Sequence, residues 1–179
     1  QITNGKHIAG TYVSCIQDDK QGKLWLGTYT GLSHYNPSTG KGKIYMANDD
    51  DENALSHNII TDIYIDGHER VWIGTEGGGL NLFQPGTDNF RVFTVHDGLP
   101  SDIICGILED GQGKLWISTT NGISRFTPPN ALDSRPEIRN YTVGDGLQGE
   151  IFKYRSCLKA RDGTMFFGGI NGFNTFHPD

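Results

Sequence analysis

Cysteine is scarce in this sequence, and its scarcity excludes one class of fold. The 179 residues include three cysteines, Cys15, Cys105 and Cys157. An odd number cannot form a complete disulfide framework, and the spacing matches no zinc motif. Each cysteine falls in the apolar segment that opens a repeated unit described below. We therefore expect three unpaired cysteines, packed as small hydrophobic side chains in inner strands.

Long apolar runs and concentrated positive charge are also missing. No run approaches the roughly 18 residues that cross a membrane, and the chain opens at Gln1 into polar sequence without a visible signal peptide. The net charge is −6, and lysine and arginine are scattered rather than gathered in a basic stripe. This distribution argues against nucleic acid as a partner.

Catalytic and metal-binding motifs are lacking as well. The sequence has no Gly-x-Ser-x-Gly elbow, its six histidines show no metal spacing, and its carboxylates define no glycosidase pair. Residues 111–114 resemble a phosphate loop only faintly and are interpreted as a turn. The acidic run 48–53 could hold calcium but lacks the spacing of a known loop, so we interpret it as a solvated linker. We predict no catalytic residue, no metal and no cofactor.

What the chain does contain is a unit repeated four times. Its clearest landmark is an aromatic residue in a short β-type run, at Trp25, Trp72, Trp116 and Phe166, with steps of 47, 44 and 50 residues. This spacing lies near the roughly 40–50-residue period of propeller blades. The 25 glycines and the 35% share of hydrophobic residues favour a turn-rich all-β chain over a helical one.

Other landmarks keep register with the aromatic residue. An acid precedes it by six positions in three units, at Asp19, Asp66 and Asp110. A leucine precedes it by 17 positions in the second and third units and by 19 in the fourth, at Leu55, Leu99 and Leu147. A glycine, an aromatic residue and a proline follow it in every unit. This many landmarks in register establish the repeat.

Each complete unit contains four short β-type runs separated by turn residues. In the second unit the runs are 59–66, 71–75, 80–83 and 90–95, bounded by Gly, Pro, Asn and Asp. Four antiparallel strands per unit make a propeller blade. The fold class is therefore all-β, an arc of about four four-stranded antiparallel blades that forms part of a seven-bladed propeller.

The predicted blades are about 4–48, 49–97, 98–144 and 145–179, and the last has only three strands. An open arc exposes strand edges, which invite pairing with other chains. We therefore expect the remaining propeller blades or a second copy to close it.

The repeated motifs resemble the two-component regulator propeller repeat. The third unit carries the resemblance most fully, in Gly98-Leu99-Pro100, the strand 103–108, the hairpin 110–119 and the run 122–128. The resemblance covers nearly the whole chain. The fourth unit departs from it, because its hairpin is shorter and Phe166 replaces the tryptophan.

The resemblance implies a role in signal transduction. Propellers of this family form the periplasmic sensor region of hybrid two-component histidine kinases anchored in the inner membrane. Many of them detect oligosaccharides and switch on genes for glycan utilisation. The family usually pairs two seven-bladed propellers, and the parent is expected to be a homodimer. Kinase activity would belong to that parent chain, so the segment itself is not expected to be an enzyme.

Propeller geometry indicates where a ligand would bind. The loops that join strands two and three lie at the same face as the loops that join the blades. Sugars require planar hydrogen-bonding groups and aromatic faces. The residues of these loops that fit by type are Tyr29, Glu76, Asn121, Asn171, Tyr154 and Arg155.

Two other functional classes stay open at this point. Streptogramin lyase-like enzymes are propellers with similar short blades and tryptophan-containing hairpins, and that alternative requires a positioned histidine, an acid and a metal site. The second alternative is a scaffold that binds no ligand and mediates only dimerisation.

Overall fold

The computed structural model describes residues 7–129, 131 and 134–178. Within these residues the chain forms four antiparallel sheets in sequence order, three of four strands and a last one of three. The strands are β1 Val13–Asp18, β2 Leu24–Thr28, β3 Gly31–Asn36, β4 Lys41–Tyr45, β5 Ile60–Ile65, β6 Val71–Thr75, β7 Leu80–Gln84, β8 Asn89–Phe93, β9 Ile104–Glu109, β10 Leu115–Thr119, β11 Gly122–Thr127, β12 Glu137–Tyr141, β13 Phe152–Lys159, β14 Met165–Gly169 and β15 Gly172–Phe176. The predicted all-β architecture of repeated blades is confirmed.

The blades follow one another through short connections. Two 3₁₀ turns, Val95–Asp97 and Val143–Asp145, lie between blades two and three and between blades three and four. No helix in the described ranges is long and apolar enough to cross a membrane. The outer limits predicted for the arc, residues 4 and 179, lie outside the described residues, and the blade boundaries stay a prediction.

The hydrophobic core lies between the blades rather than within them. Three clusters of buried side chains occupy the three interfaces between successive blades. In each interface the tryptophan of strand two packs on the phenylalanine of strand three in the next blade. The ring centroids are 4.9 Å apart for Trp25 and Phe83, 5.6 Å for Trp72 and Phe126, and 4.6 Å for Trp116 and Phe176. The recurring aromatic residues therefore hold neighbouring blades together.

The carboxylate of the acid six positions before the tryptophan accepts hydrogen bonds from both the hairpin turn and the indole ring. One oxygen of Asp66 accepts hydrogen bonds from two backbone amides of the turn, and the other accepts from Trp72 Nε1 at 2.8 Å. Asp110 makes the same contacts, with Trp116 Nε1 at 3.0 Å. Burial acts to raise the pKa of Asp66, but the bonds donated to its carboxylate outweigh burial and leave that pKa below its usual value.

The first and fourth blades vary this arrangement. In the first blade Asp19 Oδ2 contacts His34 Nε2 at 2.8 Å, and the His34 ring stacks on Trp25 at 4.2 Å. In the fourth blade Ala160 takes the position of the acid and Phe166 that of the tryptophan. The carboxylate and the indole N–H are thus replaced together, so neither is left buried without its partner. The shorter hairpin expected for the fourth unit is wrong, because five residues separate Lys159 from Met165, as five separate Ile65 from Val71.

The inner strand of every blade carries a β-bulge at the same place. In blades one to three, two residues of the inner strand lie opposite one residue of strand two. In blade four Phe152 pairs with Gly169 and Cys157 pairs with Phe167, so four residues lie opposite one. The two additional residues explain why Leu147 precedes its aromatic residue by 19 positions rather than 17.

The three cysteines lie in the inner strands β1, β9 and β13, as expected, and none of them forms a disulfide. Cys15 and Cys105 are buried, whereas Cys157 is half-buried. Burial raises the pKa of Cys15 to about 11 and the pKa values of Cys105 and Cys157 to about 12. All three thiols are therefore protonated and unreactive at neutral pH.

The two ends of the arc leave apolar side chains uncovered. On the outer face of blade four, Leu158 is 61% exposed and Phe173 is 63% exposed, and on blade one Ile16 is 56% exposed. Strand β15 has no neighbour on its outer edge within the described part of the chain. Further blades or a second copy stay the predicted partners of these surfaces.

Candidate ligand-binding site

A cavity of about 210 Å³ opens where the loops and inner strands of blades one, two and four meet. Its lining combines aromatic, charged and small polar side chains, among them Tyr12, Ser14, Tyr29, Thr61, Glu76, Tyr154 and Arg155. Four of the six predicted binding residues line it, namely Tyr29, Glu76, Tyr154 and Arg155. The fold thus brings into one site residues that lie far apart in the sequence.

The bulge of blade four places two of these residues. Tyr154 and Arg155 both lie among the four unpaired residues of β13. Arg155 has a left-handed backbone conformation, with φ of 54°, which few residues with a Cβ adopt. Bulges beside binding sites redirect side chains, and the additional residues here direct Arg155 toward the first two blades.

Arg155 links the inner strands of three blades. Its Nη1 donates to the carbonyl oxygen of Ser14 in blade one at 3.0 Å. Its Nε lies 3.5 Å from Oδ1 of Asp62 in blade two. The side chain stays 49% exposed, and a guanidinium carries five N–H donors. Donors therefore remain for a ligand in the cavity.

The tyrosines supply faces and hydroxyls. The rings of Tyr12 and Tyr29 lie 4.3 Å apart at an angle of 35°. The hydrogen bond that the Tyr29 hydroxyl donates to Tyr12 raises the pKa of Tyr29. Burial, with a smaller contribution from the nearby Glu76 carboxylate, raises the pKa of Tyr154 to about 12. The hydroxyls of Tyr29 and Tyr154 are therefore protonated at neutral pH and can both donate and accept hydrogen bonds.

Asp62 contacts the site through Arg155 and is not among the residues predicted from the sequence. It lies in the bulge of β5, is 7% exposed, and accepts a hydrogen bond from the backbone amide of Ile107 at 3.0 Å. Burial raises the pKa of Asp62 to about 6, against the opposing effects of the Ile107 amide and of Arg155. The sequence feature that could have pointed to Asp62 is its charged side chain inside the otherwise isoleucine-rich run 59–65.

Thr61 leaves a buried hydroxyl without a hydrogen-bond partner beside the cavity. Its side chain is 4% exposed. Buried polar atoms are nearly always paired, so an unpaired one adds to the case that this cavity binds a polar molecule.

Asn121 and Asn171 do not line this cavity. Asn121 Nδ2 donates to the carbonyl oxygen of Pro100 at 2.9 Å. Asn171 donates through its backbone amide to Gln148 Oε1 at 2.7 Å and through Nδ2 to the Gln148 carbonyl at 3.3 Å. Both asparagines tie the turn of one blade to the loop that enters it.

Two of the larger cavities belong to the repeat itself. One of about 350 Å³ is lined by Trp116 and Tyr141, and one of about 410 Å³ is lined by Trp25 and His34. Both lie in wedges between neighbouring blades, and both are lined by the tryptophan of one blade and by the phenylalanine of strand three and the proline after that strand in the next. These shared residues explain the two wedges as features of blade packing, whereas the cavity of about 210 Å³ combines polar and aromatic residues of three blades.

One group of side chains in the described residues has ligand atoms close enough for a metal ion: Asp66, His68 and Glu109, within 4.8 Å of one another. The Asp66 carboxylate already accepts four hydrogen bonds, from two amides, Arg70 Nε and Trp72 Nε1. These bonds occupy its acceptor positions. The hydrogen bonds within and beside the hairpin therefore account for the closeness of these three side chains.

The acidic run 48–53 folds as a series of turns. Asn48 Oδ1 accepts from the amide of Asp50 at 3.1 Å, and Asp51 Oδ1 accepts from the amide of Asn53 at 3.0 Å. These side chains stabilise their own loop, as a solvated linker requires.

Three segments of the chain match the family model for the two component regulator propeller: residues 7–30, 54–77 and 98–121. Each segment contains the inner strand and the tryptophan strand of one blade. No curated protein sequence matches the chain.

Solved structures give the same result over most of the chain. The extracellular domain of a protein assigned as a hybrid two-component system in B. thetaiotaomicron is 29% identical, with a TM-score of 0.77 over 94% of this chain and 22% of that one. A second extracellular domain from B. thetaiotaomicron is 25% identical, with a TM-score of 0.77 over 93% of this chain and 24% of that one. This chain therefore spans less than a quarter of their length.

An enzyme shares the fold more distantly. Virginiamycin B lyase from Staphylococcus aureus is 16% identical, with a TM-score of 0.65 over 94% of this chain and 56% of that one. At this identity the likeness is one of fold alone. The matched segments, the shared landmarks and the similarity to extracellular sensor domains agree: blades one, two and three each carry a segment that is similar to the two-component regulator propeller repeat.

Proposed function

We propose that this chain is a periplasmic ligand-sensing segment of an inner-membrane-anchored hybrid two-component histidine kinase, and that it recognises an oligosaccharide to regulate glycan utilisation. Its similarity to extracellular domains of hybrid two-component systems supports the sensor assignment and an extracytoplasmic location. The proposal assigns binding to the propeller and no chemical reaction.

The convergence of Tyr29, Glu76, Tyr154 and Arg155 in one cavity is the observation that carries the proposal. A pyranose ring presents apolar C–H faces, which stack on aromatic rings, and hydroxyls, which bond to carboxylate and guanidinium groups. The tyrosine pair supplies the first kind of contact. Glu76 and Arg155 supply the second.

The size of the cavity indicates how much of a sugar it takes. Pockets that enclose a drug-sized ligand measure about 300–1,000 Å³, whereas this one measures about 210 Å³. It therefore receives one ring of an oligosaccharide, and the remaining rings extend over the exposed loops.

A thermal-shift screen of the purified protein tests the proposal. The panel holds neutral cello-, xylo-, manno- and arabino-oligosaccharides together with oligogalacturonides and chondroitin fragments. A ligand that binds only the folded state raises the unfolding midpoint as its concentration rises. We expect one class of glycan to do so, and calorimetry then gives its dissociation constant.

Matched variants locate the binding. Tyr154→Phe and Glu76→Gln each remove one polar group from the cavity, and we expect each to weaken binding about tenfold, as loss of about 1.4 kcal/mol does. Tyr35→Phe and Glu69→Gln make the same changes outside the cavity and should leave the affinity unchanged. A protein that is folded and responds to no glycan would favour a dimerisation scaffold, and turnover of a sugar or a lactone would favour an enzyme.

A further inference from the structure

Asp62 occupies a position where the repeat does not require an acid. Register places it opposite Gly74, at the same point of the bulge as Cys15 in blade one and Gly106 in blade three. Blades one and three form the same inner strand with a cysteine and a glycine, respectively, at this position. The carboxylate of Asp62 therefore does not serve the blade fold.

A buried carboxylate is costly unless it is paired. The groups around Asp62 are the Ile107 amide, 3.0 Å from Oδ2, and Arg155 Nε, 3.5 Å from Oδ1. The other titratable groups that face it are the thiols of Cys15 on β1 and of Cys157 on β13. Arg155 is thus the cation that compensates Asp62, and it reaches Asp62 only because β13 carries two additional residues.

The same arginine borders the cavity. An unrestrained arginine side chain has several rotatable bonds, and holding it still costs conformational entropy. Two fixed contacts, to Asp62 and to the Ser14 carbonyl, meet that cost before a ligand arrives. Preorganisation of this kind increases affinity without adding a contact to the ligand.

We propose that Asp62 is a positioning residue of the ligand site, which holds Arg155 across the inner strands so that its free N–H groups face the bound sugar. This inference rests on the proposed function of the cavity. Asp62 itself does not line the cavity and touches no ligand.

Affinity measurements test the first half of the inference. Asp62→Asn keeps the size of the side chain and removes its charge, and we expect it to weaken binding of the responsive glycan about tenfold, the loss of one charge-assisted contact. Asp62→Glu keeps the charge and should recover part of the loss. Asp162→Asn, an exposed aspartate in the hairpin of blade four, is the matched control and should bind as the unchanged protein does.

A titration without sugar tests the second half. Carbon-13 NMR follows the Asp62 carboxyl in the unchanged protein and in Arg155→Gln. We expect the variant to raise the pKa of Asp62, because the compensating charge is lost. An unchanged pKa, or Asp62→Asn binding with full affinity, would overturn the inference. If no glycan binds any protein, the proposed function and the positioning role both fail, whereas the titration still decides whether the two residues are coupled.

Discussion

A single aspartate in each of blades two and three couples the local turn to the interface between blades. Asp66 and Asp110 each use one oxygen for hairpin amides and the other for a buried indole N–H. The chain itself contains the alternative, because Ala160 and Phe166 remove both partners in blade four. The pair therefore acts as a unit, and changing one member alone leaves the other unsatisfied.

Asp110→Ala should lower the free energy of unfolding by about 2 kcal/mol, because the indole N–H of Trp116 and two turn amides lose their acceptor. Adding Trp116→Phe removes the unsatisfied donor, so the double variant should lose about 1 kcal/mol less than the sum of the single changes. Urea denaturation at neutral pH measures all three proteins. Strictly additive losses would contradict the coupling, and Asp162→Ala serves as the exposed control.

At the scale of the strand, the bulge of β13 distinguishes blade four from the others. It contributes Tyr154 and Arg155 to the cavity and carries the contact to Ser14. The other inner strands have two residues at this point, where β13 has four. The insertion builds the site from a strand that otherwise follows the repeat.

Deleting Tyr154 and Arg155 together should give a folded protein that no longer responds to glycans. Removing two residues returns β13 to the bulge of the other blades and keeps its alternation of faces. Deleting Arg155 alone should destabilise the protein severely, since a one-residue shift turns Cys157 and the residues around it to the wrong face. Circular dichroism and thermal unfolding check both variants, and glycan binding by the two-residue deletion would contradict the role of the bulge.

The strands and blades could be predicted from the sequence because turn residues and aromatic landmarks recur at a fixed spacing. The site could be predicted only in part. Tyr29 and Glu76 follow from their place in the turns, but their approach to Tyr154 depends on an insertion that appears in the sequence only as 19 positions in place of 17. Asp62 was missed because its role depends on a partner 93 positions away, which no local pattern reveals.

For the whole molecule, Asp62 sets one part of the pH dependence of stability. Its pKa is raised to about 6 in the folded protein from a usual value of 3.8. A group whose pKa is raised by folding contributes stability at low pH that is lost as the pH rises through the folded value. The contribution of Asp62 to the free energy of unfolding is therefore lost between about pH 4 and pH 6.

Asp62→Asn removes this dependence. At pH 7.5 burying the charged form costs about 3 kcal/mol, so we expect the variant to be more stable than the unchanged protein there while binding glycans more weakly. At pH 5 the advantage should shrink by about 1 kcal/mol. Denaturant unfolding at both pH values measures the difference, and a constant difference would show that Asp62 does not titrate in this window.

Because the hydrophobic core lies between blades, the number of blades can change without a change in the kind of packing. Because each cluster of buried side chains joins two blades, duplicating one unit adds one more interface of a kind already present. Losing a unit merges two interfaces into one and requires no new packing solution. Gene duplication can therefore lengthen or shorten the propeller by whole units, while a single insertion within one unit, as in β13, supplies a specific site.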